Sequence, residues 1–261
     1  MVAGALVFAA LAGCSVAVTP DDEPFVRPAA QGVRLAPTAS GSLGGRVVVV
    51  DAGHAGVHDP ETSGHLLDMG LAGRRPCYTS GTTAADGTPE HALNHAVAIR
   101  LADVLRARGA TVILTRGDDA SIGPCNDDRA RIANRAGADL LVSIHGDGDD
   151  AGKRGFHVIY APNMEGGEPL TVRSRSAALD LAESLVAGTK LPPSNYKGTP
   201  QAPLDPRTNL GALSVLTRTP GVLVELGNLK NPADWALLSS DTVRDDVAAA
   251  LAAGVERALA D

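Results

Sequence analysis

Aromatic side chains are nearly missing from this chain of 261 residues, with three Phe, three Tyr and one Trp making up 3% of it. A core must therefore be built from Val, Leu and Ala. The 44% of hydrophobic residues allows one, and wholesale disorder is excluded. Positive charge is also short: Lys and Arg number 23 against 30 Asp and Glu, for a net charge of −7. Nucleic-acid binding normally needs a basic face, so no nucleic acid is expected as a partner. Cysteine is scarce, at positions 14, 77 and 125 only. No repeat at solenoid or propeller spacing is present. Long hydrophobic runs are lacking as well, except for one at the amino terminus.

That run, residues 1–20, carries no charge. It reads as the apolar region of an export signal, short and glycine-containing for a membrane span. Two processing readings compete. Leu11-Ala12-Gly13-Cys14 resembles a lipobox, in which Cys14 is lipidated, while Ser15-Val16-Ala17 offers the small residues of an ordinary signal-peptidase site. Residues 1–18 are accordingly expected to be a signal peptide or lipoprotein signal, and the protein to be exported to the periplasm or cell wall. Residues 19–45 hold Pro20, Pro24, Pro28 and Pro37, the acidic Asp21-Asp22-Glu23, and Gly and Ser from 41 to 45. With no apolar period they read as a flexible linker, and a single catalytic domain is expected over 46–261.

Within that domain strands and helices alternate. Val47 to Val50 is a β-branched run of buried-strand type. Leu93, Val97, Leu101, Val104 and Leu105 form a helical stripe over 90–108, with Thr88 as the expected N-cap, Pro89 at the first helical position and Gly109 after the end. Further strands are expected at 111–115, 140–144, 155–160 and 222–224, and further helices at 126–136, 177–186 and 242–259. The alternation predicts an α/β fold, a three-layer αβα sandwich with a mostly parallel twisted sheet flanked by helices.

Reactive groups fall at the ends of these elements. Asp51-Ala52-Gly53-His54 follows the first strand, His145 follows Ile144, Glu225 follows Val224, and Glu90 opens a helix. In an open α/β sheet the carboxyl ends of strands and the amino ends of following helices share one edge, so two His and two Glu converge. A His₂Glu set is a known catalytic zinc pattern with a fourth position open for water, and the remaining Glu would be the general base or acid. Each residue alone also has a scaffold reading. A His after a strand is commonly a hydrogen-bonded structural residue, and a Glu at a helix start is favoured by the macrodipole. Glu225 interrupts an apolar strand, where a carboxylate without a partner is costly. Spacing alone leaves both readings open.

The stretch Val47-Val48-Val49-Val50-Asp51-Ala52-Gly53-His54-Ala55-Gly56 resembles the opening strand and loop of the zinc-dependent N-acetylmuramoyl-L-alanine amidases, the amidase 3 family. The likeness continues through Glu90, Asn94, Leu114-Thr115-Arg116, Arg129, Ala133-Asn134, Ala138-Asp139, Ser143-Ile144-His145 and Val224-Glu225-Leu226-Gly227-Asn228, in the family's order. It implies that His54, Glu90 and His145 hold one Zn2+ per chain and that Glu225 is the catalytic acid and base. The substrate it implies is the amide between the lactyl group of N-acetylmuramic acid and L-alanine, in peptidoglycan or muropeptide fragments. Asn228 stands where the family commonly has an aromatic or apolar residue, which is expected to alter the groove wall. Asp51 is expected either to orient the His54 imidazole from behind or to cap the loop.

Other candidates are weaker. His91 and His95, four apart on a helix, have a chelating spacing but are expected to face away from its apolar stripe. His58 and His65 are expected on the surface of the long loop, and His157 at a cross-strand or rim position. Arg116 and Asn134 fit scaffold bonding as well as substrate contact. Gly53-x-x-Gly56 lacks the lysine of a phosphate loop. Cys77 and Cys125 form an even pair in loops on the site edge, and in an oxidising compartment a disulfide is expected. Membrane contact is expected only through a lipid anchor at Cys14, and a monomer is expected. A zinc peptidase or carboxypeptidase acting on peptides without muramic acid is the alternative, and a catalytically dead wall-binding module is a third reading.

Overall fold

Val, Leu and Ala do supply the core, in two layers on either side of a sheet. The computed structural model describes Met1, residues 25–28 and residues 30–260; Cys14 and the rest of the expected export signal after Met1 lie outside the described residues. Its strands are β1 (Val33–Leu35), β2 (Val47–Ala52), β3 (Leu66–Asp68), β4 (Arg74–Pro76), β5 (Thr111–Leu114), β6 (Leu140–Asp147), β7 (His157–Tyr160), β8 (Leu204–Pro206) and β9 (Gly221–Asn228). Its helices are α1 (Pro60–Gly64), α2 (Glu90–Ala107), α3 (Asn126–Ala136), α4 (Glu168–Gly188), α5 (Gly211–Ser214), α6 (Pro232–Leu238) and α7 (Asp241–Ala258).

Seven strands make one sheet in the order β1-β5-β2-β6-β9-β7-β8, and β3 and β4 form a separate hairpin. Alternate residues along the strands point to opposite faces. Val48, Val50, Val142, Ile144, Val222, Val224 and Val158 meet α2, α4 and α7 on one face, while Val49, Leu141, Leu223 and Ile159 belong to the smaller layer of α3 and α5. Strands covered on both faces read as unbroken apolar runs, which is why β2 and β6 were visible in the sequence.

The sheet is mixed rather than mostly parallel at its margins. β5, β2, β6 and β9 run parallel, but β1 is antiparallel to β5, and β7 is antiparallel to β9. The link from β6 to β7 contains no helix. A short loop of that kind steps over β9 along one edge and enters β7 running backwards, because a parallel entry needs a crossover the length of the sheet.

The flexible-linker reading of 19–45 also needs correction for its described part. β1 lies in that segment and extends the sheet, Leu43 is 2% exposed, and the Thr38 and Leu43 amides donate to the carbonyls of Arg106 and Arg108. Arg27 reaches Asp127 at 2.7 Å and Asp128 at 3.0 Å. A three-residue edge strand leaves no periodicity to read. At α2 the cap is Pro89 rather than Thr88, which makes Glu90 the first helical residue. α4 starts nine residues before the apolar stripe that marked it, with Pro169 in its first turn. The helix start Asn231-Pro232 escaped notice, although Asn231 caps α6 through the amides of Ala233 and Asp234.

Candidate metal centre

His54 sits just beyond β2, in a turn that its neighbours hold in place. Its φ of 63° lies in the left-handed region, unusual for a side chain with a Cβ. Arg129, buried on α3, clamps the turn: Nη1 donates to Asp51 Oδ1 (2.6 Å) and the Ala52 carbonyl (2.8 Å), and Nη2 donates to the His54 carbonyl (2.7 Å). Asp51 also accepts from the hydroxyls of Thr115 and Ser143, each at 2.5 Å. Burial alone would raise the Asp51 pKa, yet the Arg129 charge and these two bonds bring it down to about 2. Asp51 therefore does not orient the His54 ring directly, as one reading of the sequence had it. Thr79 does, its carbonyl 2.8 Å from Nδ1, which turns Nε2 toward the cavity. Asp51 acts on the backbone of the turn through Arg129.

Three donors meet there. His54 Nε2 is 2.8 Å and His145 Nδ1 3.1 Å from the same Glu90 oxygen, Oε1. The three residues offer ligand atoms that all lie within 4.8 Å of one another. Asn94 Nδ2 and the Gly146 amide also reach Oε1, and the Thr82 amide reaches Oε2. Burial works against the charge on Glu90, but the bonds from His145 and His54 outweigh it and hold the carboxyl well below its ordinary range. Burial lowers the His145 pKa as well, leaving a neutral imidazole with a lone pair to offer. Space for this grouping comes from two glycines. A Cβ on Gly53 would stand 2.3 Å from the His145 ring, and one on Gly81, at φ +78°, 2.7 Å from Glu90 Oε2. A carboxylate between two imidazoles suits a divalent cation and in particular zinc.

Glu225 completes the set at a place that only the sheet register reveals. It lies directly across β9 from His145 on β6 and from His157 on β7, so all three project from one face. Glu225 makes no hydrogen bond to a described residue, and its Oε2 is buried without a partner. Burial, then repulsion from Glu90 and Asp147, pushes its pKa well above the ordinary range. Of the cross-strand and rim positions expected for His157, it takes the cross-strand one, 0% exposed and with neither ring nitrogen bonded. Its nearest carboxylate, Asp205, stands 3.9 Å from Nε2, and burial brings its pKa to about 4. No feature of the linear sequence flags His157; its importance comes from being opposite Glu225.

The remaining candidates fall outside this group. His91 pairs with Asp119 at 2.9 Å, His65 stacks on Phe25, and His58 lies edge-on to Tyr78. Arg116 holds the Ala52 and His91 carbonyls, and Asn134 bonds Val215 and Thr217, so both serve the scaffold. Asn228 does not face the groove; fully buried, it donates to the carbonyls of Asp149, Asp150 and Lys153 and holds that loop. Cys77 and Cys125 are joined, closing a separation of 48 residues and tying the β3–β4 hairpin to the start of α3. In the chain-entropy view a loop of that length contributes about 4 kcal/mol. The second cluster of potential donors, Cys125, Asp127 and Asp128, is committed to this disulfide and to Arg27 and Arg131.

A cavity of about 530 Å³ opens over the centre. His54, Glu90, His145 and Glu225 line it; Arg75 and Thr79 to Thr82, from the stretch between His54 and Glu90, form one wall, and Arg207 and Leu210, with Met69 packed against Gly211, another.

Known proteins resemble both the sequence and this arrangement. The family model described as N-acetylmuramoyl-L-alanine amidase matches residues 48–257. The chain is 38% identical over 222 residues to the N-acetylmuramoyl-L-alanine amidase Rv3717 of Mycobacterium tuberculosis, covering 84% of this chain and 88% of that one. It is 29% identical over 249 residues to the N-acetylmuramoyl-L-alanine amidase AmiA of Escherichia coli, covering 84% and 78%. Among solved structures, the N-acetylmuramyl-L-alanine amidase Ami1 of Mycobacterium smegmatis superposes with a TM-score of 0.78 at 35% identity, over 84% of this chain and 98% of that one.

Proposed function

The chain belongs to the N-acetylmuramoyl-L-alanine amidase family, hydrolases that act on peptidoglycan, and from that premise we propose that His54, Glu90 and His145 hold a zinc ion while Glu225 moves the proton. The bond cut is the amide joining the muramoyl lactyl group to L-alanine. A peptidase indifferent to muramic acid is not favoured, since the relatives are named for the muramoyl bond. The observation that carries the reading is the convergence of two imidazole nitrogens on one oxygen of Glu90.

Bound zinc supplies Lewis-acid polarisation of the scissile carbonyl and lowers the pKa of water at the site. His54, fixed through Thr79, and His145, held neutral by burial, keep their lone pairs available for it. Glu225 accepts the proton of the attacking water on its carboxylate and delivers it to the departing alanine nitrogen. Burial and the repulsion of Glu90 and Asp147 push its pKa up, which favours its taking the proton from water. Carboxylate repulsion and burial prepare the group, with no hydrogen bond from a described residue competing for its buried Oε2.

In the cell, residues 1–18 direct export, by ordinary signal cleavage or by lipidation at Cys14, and the protein works as a monomer on the wall side of the membrane. The disulfide suits such an oxidising compartment. The test is mass-spectrometric detection of stem peptide released from a disaccharide tripeptide, with zinc and with chelator. Release that stops on chelation and returns on adding zinc is expected. Cleavage that survives full metal removal contradicts the assignment.

A further inference from the structure

Cations gather on the β8 side of the cavity. Asp205 on β8 stands in register with Ile159, which lies opposite Leu223, and so shares the sheet face of Glu225. Arg207, two residues on, lines the cavity from the same wall, its backbone amide on the Tyr160 carbonyl at 3.0 Å. Its Nε donates to Asp205 Oδ2 at 2.6 Å, and Lys197 Nζ reaches the same oxygen at 3.3 Å. One carboxylate serves two cations there. Held through Nε, the Arg207 guanidinium keeps both Nη groups without a hydrogen bond to any described residue, and its side chain is 30% exposed.

The direction of the substrate follows from Glu225. The group that protonates the departing alanine nitrogen must have the leaving peptide on its own side, over β7 and β8, and the muramoyl group on the other, toward β2 and the β3–β4 hairpin. In the stem, the residue after L-alanine is a D-glutamate joined through its γ-carboxyl, so its α-carboxylate is free unless amidated. That group lies about 7 Å of extended chain from the cleaved bond. We propose that Arg207 is the anchor for this carboxylate, braced by Asp205, and that the enzyme selects stems with a free D-glutamate over their α-amides. An arginine fork pairs with a carboxylate through two parallel bonds, whereas an amide sets an NH₂ donor against one of the fork's own. The proposal rests on the amidase reading and adds its specificity.

The test compares two disaccharide tripeptides that differ only in a free or amidated α-carboxyl at the second residue. Wild-type kcat/KM is expected to favour the acid by about tenfold or more. Arg207→Gln is expected to bring the ratio close to one, chiefly through KM for the acid, while Arg75→Gln on the opposite wall keeps the wild-type ratio. Product inhibition supplies a second reading on the unaltered enzyme: γ-linked L-Ala-D-Glu should inhibit about tenfold more tightly than its α-amide. Equal kcat/KM for the two substrates, equal inhibition by the two products, or a wild-type ratio in Arg207→Gln overturns the anchor and leaves the amidase standing. Failure of the zinc-loaded enzyme to cut either substrate overturns both.

Discussion

On the β2–β6 side of the cavity every carboxylate oxygen of Asp51 and Glu90 has a partner, while on the β9–β7 side Glu225 makes no hydrogen bond to a described residue and neither nitrogen of His157 is bonded. The two sides meet where His145 on β6 stands opposite Glu225 on β9, in one row with His157 on β7. A cation site gains from rigidity, because its ligands must stand in one geometry before the ion arrives. A group that trades protons with a substrate gains from bare lone pairs, because a competing protein bond would have to break at each turnover. Arg129 on the first side and Arg207 on the second repeat the contrast: one has both Nη groups engaged with backbone and Asp51, the other is braced at Nε and open at both Nη groups.

The largest stability effect should come from the satisfied side. Asp51→Ala leaves Arg129 buried without its counter-charge and should cost about 3–5 kcal/mol in urea unfolding at neutral pH. A loss below about 1 kcal/mol would mean the pair does not hold the turn, and the contrast would fail on that side.

On the unsatisfied side the expected effect is smaller and depends on pH. Burial keeps His157 neutral down to about pH 4, whereas the unfolded chain takes up a proton near 6.5. Stability is therefore full above pH 6.5 and falls as the pH drops from there toward 4, by about 3 kcal/mol from this group. His157→Leu should remove that part of the slope and change stability at pH 8 by less than about 1 kcal/mol, since an apolar side chain leaves no unbonded polar atom behind. An unchanged slope in the variant would show that His157 has partners the account denies it.

Much of this molecule can be read in the sequence. The apolar runs at 47–50 and 140–144 mark strands buried on both faces, and their ends, with the start of the helix at Glu90, bring His54, Glu90 and His145 together. The Cys77–Cys125 bridge was legible from an even pair in loops at one edge. What escaped was set by register and by short elements. His157 looks like any histidine on a strand until β7 is seen to run antiparallel to β9, opposite Glu225. Arg129 is part of the family likeness, but its clamp on the turn at His54 shows only once α3 is packed there. The hairpin β3–β4 and the edge strand β1 are three residues each, too short for a period of two to show. Of the two roles open to Asp51, the contact with the His54 ring goes to Thr79, and Asp51 holds the backbone of the turn through Arg129.

The division between a metal-holding side and a proton-moving side is tested most directly by measuring zinc content and muropeptide turnover together in Glu225→Gln. Full zinc occupancy with turnover lowered about 10³-fold is the expected result. Loss of zinc alongside activity would make Glu225 part of the metal site, and turnover near wild type would place the proton transfer on another group; either would contradict the account.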